Sequence, residues 1–226
     1  MTEIVGASRT DSGAHARGQV VHFDDLDGVP IQNWVRAMND ALPPDVAVKA
    51  VSYVAADFNS RFSARDRFYR YRILTSVRDP HRTRYAHVAT RDLNVALMEE
   101  AAAGFVGRKD FAMFSQGLEL GTNTVREIFS TAVHRVRDEV WIDVVGTAFL
   151  RGMMRRIAGS LFEVGVGRRS VQSVVRLFDS NEDTQALQPV LLPACGLCLM
   201  RIRYGRHPFD HRLKKTDRTQ DNEDNE

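Results

Sequence analysis

Arg9-Thr10-Asp11-Ser12-Gly13-Ala14-His15, followed after Ala16-Arg17 by Gly18-Gln19-Val20-Val21-His22-Phe23, sets a single carboxylate on a polar turn between two apolar, strand-like segments. Residues 3–7 and 19–24 carry the β-branched positions, and Ser8, Asp11, Ser12, Gly13 and Gly18 supply the turn chemistry between them. Such a turn has two readings. In the ordinary one, Asp11 closes an Asx turn by accepting the backbone N–H two residues on. In the other, two strands hold the loop rigid and present Asp11 as a catalytic carboxylate.

Outward from that loop the chain alternates helical and strand-like segments without repeats. Ile31, Trp34, Val35, Met38 and Leu42 fall at helical spacing and predict a helix over 31–42; Leu93, Leu97, Ala101 and Phe105 predict another over 92–105. Residues 151–164 read as a third helix, with Met154, Ile157, Ala158 and Leu161 as its apolar stripe and Arg151 and Arg155 one turn apart on another face. Ser170 is a candidate N-cap for a helix over 171–178. Strands are expected over 46–54, 68–75, 125–136, 139–146 and 197–204, the pair on either side of Arg137-Asp138 forming a hairpin. In the strand from 68, Tyr69, Tyr71 and Ile73 share one face while Arg70 and Arg72 share the other. This mixture predicts an α+β fold with helices layered against a largely antiparallel sheet.

A chain of 226 residues with 43% hydrophobic composition can bury a sizeable core. No apolar run approaches the roughly 20 residues of a membrane span, and the N-terminus lacks signal-peptide patterning, so a cytoplasmic setting is expected. The last ten residues hold five acids against Arg218, and the polar, charged stretch 209–226 reads as a disordered tail. The remaining body is basic, which permits a polyanionic partner without proving one.

Cys195, Cys198, His207 and His211 form C-x2-C-x8-H-x3-H. A zinc site is rejected, since the central spacing falls short of about 12 to 15 residues and a strand starting at Leu197 would point the two thiols to opposite faces. No metal and no cofactor are expected, and both cysteines are read as reduced thiols.

The loop motif, taken with several blocks further along, resembles the tRNA pseudouridine synthase A (TruA) family. Those blocks are Asn39-Asp40-Ala41-Leu42-Pro43-Pro44-Asp45, Phe58-Asn59-Ser60-Arg61-Phe62-Ser63-Ala64-Arg65, Tyr69-Arg70-Tyr71-Arg72, Gly107-Arg108-Lys109-Asp110-Phe111 and Thr124-Val125-Arg126. Ala148-Phe149-Leu150-Arg151, Met153-Met154-Arg155 with Gly159, and Pro193-Ala194-Cys195-Gly196-Leu197-Cys198-Leu199 continue the order. Ser8 departs from the glycine usual in the family. The resemblance implies two ferredoxin-like lobes with a catalytic cleft between them, the first lobe incomplete: residues 1–56 as the remnant of the N-terminal lobe and 57–208 as the C-terminal one. An uncovered sheet edge and apolar face are expected where the family's opening strand and helix would lie.

The same resemblance implies isomerisation of uridine to pseudouridine in the anticodon stem-loop of tRNA, by a homodimer. Asp11 takes the place of the catalytic aspartate, Arg9 and Arg155 of arginines near it, Tyr69 of the active-site tyrosine and Leu197 of an apolar pocket residue. Each has a plainer reading: a surface arginine for Arg9, a half-buried sheet face for Tyr69, simple core for Leu197. A carboxylate suits the chemistry as a nucleophile toward sugar or base, and a nearby guanidinium keeps it ionised. Arg61, Arg65, Arg67, Arg70 and Arg72, with Lys109, Arg151 and Arg156, are candidates for the path of an RNA backbone, a solvated charged face being the alternative for each. No catalytic role is assigned to His15 or His22. A catalytically inactive RNA-binding paralogue is the competing function.

Overall fold

The computed structural model describes residues 3–24, 29–179 and 188–205; the expected tail at 209–226, with His207 and His211, lies outside them. Alternation of apolar and polar residues builds one seven-stranded sheet. Its order runs β2 (His15–Ala16), β9 (Leu197–Tyr204), β4 (Ala64–Leu74), β8 (Glu139–Gly146), β7 (Val125–Val136) and β6 (Gly107–Asp110), with β5 (His87–Val88) beside the end of β4. The long pairs are antiparallel, and β2 and β5 join in parallel. A separate two-stranded ribbon pairs β1 (Val5–Gly6) with β3 (Val21–His22), so both flanks of the opening loop are strands, shorter than the sequence predicts.

The hairpin of β7 and β8 turns through Arg137-Asp138, with Arg137 at φ 57°, the left-handed conformation that a two-residue hairpin turn favours. Helices α2 (Val95–Ala103), α3 (Met153–Gly165) and α4 (Val171–Arg176) stack on one side. Met98, Ile157, Leu161 and Val174 close the core there against Tyr71, Ile73, Ile142 and Val144. Asn94 caps α2 by accepting from the Leu97 N–H, and Ser170 caps α4 by accepting from the Ser173 N–H. The α+β architecture with its largely antiparallel sheet follows the sequence expectation.

One predicted strand does not form. Residues 46–54 form no strand, and Val46 and Tyr53 are half exposed. Asn39, on α1 (Ile31–Ala41), instead brackets Val48, donating to its carbonyl at 3.0 Å and accepting from its N–H at 2.7 Å. α1 itself forms as read, yet buries no residue fully; Phe23 packs edge-on against Trp34.

Candidate active site

The loop between β1 and β2 turns at Asp11. The Ala14 N–H donates to the Asp11 carbonyl at 3.0 Å, and Gly13 sits at φ +82°, the third-position geometry of a type II turn. The main chain therefore closes this turn, and no described backbone N–H is bonded to the Asp11 carboxylate. Gln19 steadies the approach, its side chain donating to the Ser8 carbonyl at 2.5 Å and accepting from the Ser8 N–H at 3.3 Å. Gly18 follows where the loop presses on β9: a Cβ there would stand 2.6 Å from the Met200 carbonyl oxygen.

The Asp11 side chain reaches across the molecule to α3. Arg155 Nη1 donates to Asp11 Oδ2 at 2.7 Å, with the two side chains 15% and 25% exposed. The other carboxylate oxygen, Oδ1, carries no bond from a described residue, which leaves a lone-pair-bearing atom open to a ligand. Arg155 is itself held from behind, because its Nε donates to the Leu192 carbonyl at 2.7 Å.

That carbonyl belongs to a strap, residues 189–193, drawn tight over α3 and β4. Arg156 donates to Pro189 O at 2.6 Å, Tyr71 Oη to Pro193 O at 2.7 Å, and a Cβ on Gly159 would lie 1.8 Å from Val190 O. Only glycine fits at 159, which explains that residue in the sequence block.

Tyr69 lies beside the loop, 3% exposed, its hydroxyl 2.7 Å from Ser8 Oγ and its ring edge-on to Phe149 at 4.9 Å. Burial raises its pKa; the Ser8 hydrogen bond and the Arg67 charge oppose that, and the nearby Asp11 charge adds to it. The phenol thus stays protonated and offers a hydrogen bond and an apolar floor. Leu197 is 5% exposed, opposite Tyr71 in the sheet, and belongs to the core. Arg9 is exposed and bonds to no described residue.

The structure thus brings Asp11, Arg155 and Tyr69 together and leaves Arg9 at the surface. Ser8, Phe149 and the strap join the site without any local sequence pattern that assigns them a role there. Phe149 carried a signal, lying in a quoted block just ahead of α3.

The basic residues proposed for an RNA path divide sharply. Arg70 and Arg72 point away from Tyr69 and pair with Asp143 and Glu139, and Arg67 is buried. Lys109 donates to the Gly104 carbonyl and lies over Phe178, and Arg156 is engaged by the strap. Arg61, Arg65 and Arg151 remain exposed with no ion pair to a described residue. The two thiols are free; Cys195 Sγ faces the Ala86 carbonyl at 3.8 Å, and burial raises the pKa of Cys198. Among the described residues no helix is long and apolar enough to cross a membrane.

Residues 101–205 match the family model described as tRNA pseudouridine synthase. The tRNA pseudouridine synthase A of Brevibacillus brevis is 35% identical over 203 residues, covering 89% of this chain and 82% of that protein. That of a Geobacter species is 38% identical over 204 residues, covering 90% and 82%. That of Halalkalibacterium halodurans is 39% identical over 175 residues, covering 77% of this chain and 66% of the relative.

Proposed function

Since this chain belongs to the tRNA pseudouridine synthase A family, a family of isomerases, we propose that it converts uridine to pseudouridine in tRNA with Asp11 as the nucleophile. The observation that carries this reading is the Asp11 carboxylate gripped through one oxygen by Arg155 at 2.7 Å, the other oxygen bonded to no described residue, with the Asp11 charge close enough to act on the Tyr69 phenol. Arg155 fixes the carboxylate through Oδ2, and the free Oδ1 is the atom that would attack.

In the reaction the C1′–N1 bond breaks, the base turns, and a C1′–C5 bond forms; C5 loses its proton and N1 gains one. Atoms balance without redox, so the protein's task is to hold a detached base and a charged sugar carbon in place. The target uridine leaves its stack to reach Asp11 at a cost of a few kcal/mol. Tyr69 and Phe149 supply the apolar floor, and Leu197 supports it from the core. Arg61, Arg65 and Arg151, with Arg9 on the loop itself, are the groups open to the RNA backbone.

The proposal extends to the 3′ side of the anticodon stem-loop as target, to a homodimer, and to the cytoplasm as setting. Recognition there would rest on the folded form of the RNA more than on base edges.

The test is release of tritium from tRNA carrying uridine labelled at C5. Asp11→Asn keeps the side chain's size and removes the nucleophile, so release should fall to background while filter binding still reports tRNA affinity near wild type. Near-normal release by Asp11→Asn contradicts the assignment. A wild-type chain that binds tRNA but releases no tritium would instead be the inactive RNA-binding paralogue.

A further inference from the structure

We infer that Arg67 is a positioning residue for the catalytic loop: one buried guanidinium ties together the three chain segments that carry Asp11, Tyr69 and Arg155. Arg67 is 5% exposed. Its Nη1 donates to Thr147 O at 2.6 Å and Ala64 O at 3.2 Å; its Nη2 donates to Arg61 O at 2.6 Å and Ala7 O at 3.1 Å. All four acceptors are main-chain carbonyls, and no carboxylate of a described residue is bonded to it. The adjacent Asp66 pairs instead with Arg203 at 2.7 Å.

A buried arginine is ordinarily neutralised by an acid, and leaving one without such a partner is expensive. Here carbonyl dipoles replace the acid, through charge-assisted bonds. What those carbonyls belong to gives the arrangement its meaning. Ala7 is the last residue before the loop, followed at once by Ser8, whose hydroxyl meets Tyr69. Thr147 opens the connection from β8 to α3, which holds Phe149 and delivers Arg155. Arg67 itself stands on β4, two residues before Tyr69. The planar fork fixes the directions in which these segments depart, whereas a lysine ammonium presents its donors from a single atom and cannot span them.

Arg67 makes no hydrogen bond to Asp11 and holds main-chain carbonyls instead, so its influence passes through the backbone. The activity readouts rest on the function proposed above; the exchange readout does not. The decisive variants are Arg67→Lys and Arg67→Ala in the full chain, with Arg203→Met as a control that breaks a neighbouring ion pair to the buried Asp66.

For Arg67→Lys, amide exchange should quicken over residues 7–14 while the hairpin of β7 and β8 keeps its protection. The kcat for tritium release should drop about 100-fold, as expected of misplaced catalytic groups, with tRNA affinity unchanged. In Arg67→Ala, added guanidinium at a non-denaturing concentration should restore part of kcat, and the same ionic strength of sodium chloride should not. Arg203→Met should lower the melting temperature and leave kcat alone.

Wild-type exchange over 7–14 in a folded Arg67→Lys protein overturns the inference. So does a loss of kcat that follows the melting temperature in all three variants without guanidinium rescue. If the wild type releases no tritium while Arg67→Lys still loosens residues 7–14, the proposed reaction fails and the positioning role stands.

Discussion

The two faces of strand β4 use arginine in opposite ways. On the outer face every guanidinium is matched to carboxylates: Arg70 grips Asp143 through two bonds of 2.7 Å and lies over the Trp141 ring at 3.9 Å. Arg72 grips Glu139 through bonds of 2.8 and 2.7 Å, Trp141 Nε1 adds another at 2.7 Å, and Arg82 links Glu139 to Asp138. On the inner side Arg67 holds four carbonyls, and Arg155 divides itself between the Leu192 carbonyl and one oxygen of Asp11. The outer arginines saturate their acids and so lock the sheet. The inner ones leave a carboxylate oxygen open, and that unfilled valence is where chemistry has room to occur.

The largest expected effect follows from breaking the inner pair. Arg155→Met removes the guanidinium from Asp11 and the strap together, and kcat/KM for tritium release should fall at least about 100-fold, which is roughly 2.7 kcal/mol of transition-state stabilisation.

The hairpin and β9 were legible in the sequence because both strands of each pair carry clear alternation, and the structure matches residues 125–136, 139–146 and 197–204 as read. Residues 46–54 show a similar pattern and form no strand, because alternation records an apolar face and says nothing of a pairing partner. β6, Gly-Arg-Lys-Asp, was invisible for the converse reason: it is polar, and only its pairing with β7 makes it a strand. At the site, the approach of Asp11 to Arg155 spans 144 positions and came from family resemblance, since no local pattern encodes it. Arg67 sits in a run of arginines that reads as a charged surface, yet it shares the odd-numbered face of Tyr69, Tyr71 and Ile73. That parity was the available signal, and charge outweighed it.

The outer face answers to acid instead. Burial works to raise the Glu139 pKa, but the bonds from Arg72, Arg82 and Trp141 prevail and hold it down at about 2, against an ordinary 4.5. A carboxylate depressed in the folded state adds stability above its unfolded pKa and loses it as pH falls through the folded one. The melting temperature should therefore drop as pH goes from 4.5 towards 2. Glu139→Gln, which has no charge to lose, should differ from wild type most above that window and progressively less inside it. A constant difference across the window would remove the outer network as the cause.

A smaller effect separates hydroxyl from ring at Tyr69. Tyr69→Phe keeps the floor and drops only the bond to Ser8, a loss of about 0.5 to 1.5 kcal/mol. Unfolding by urea should show it, with tRNA affinity preserved.

The contrast between the faces is tested most directly by measuring single-turnover tritium release and melting temperature for Arg155→Met and Arg70→Gln side by side. Arg70→Gln should release tritium at the wild-type rate and lower the melting temperature, because it breaks a bidentate pair whose side chains are only 18% and 16% exposed. Arg155→Met, at the same folded fraction, should be slower by about two orders of magnitude. Equal rates for the two variants, or a greater loss in Arg70→Gln, would contradict the division of this chain's arginines into those that hold the sheet and those that hold the site.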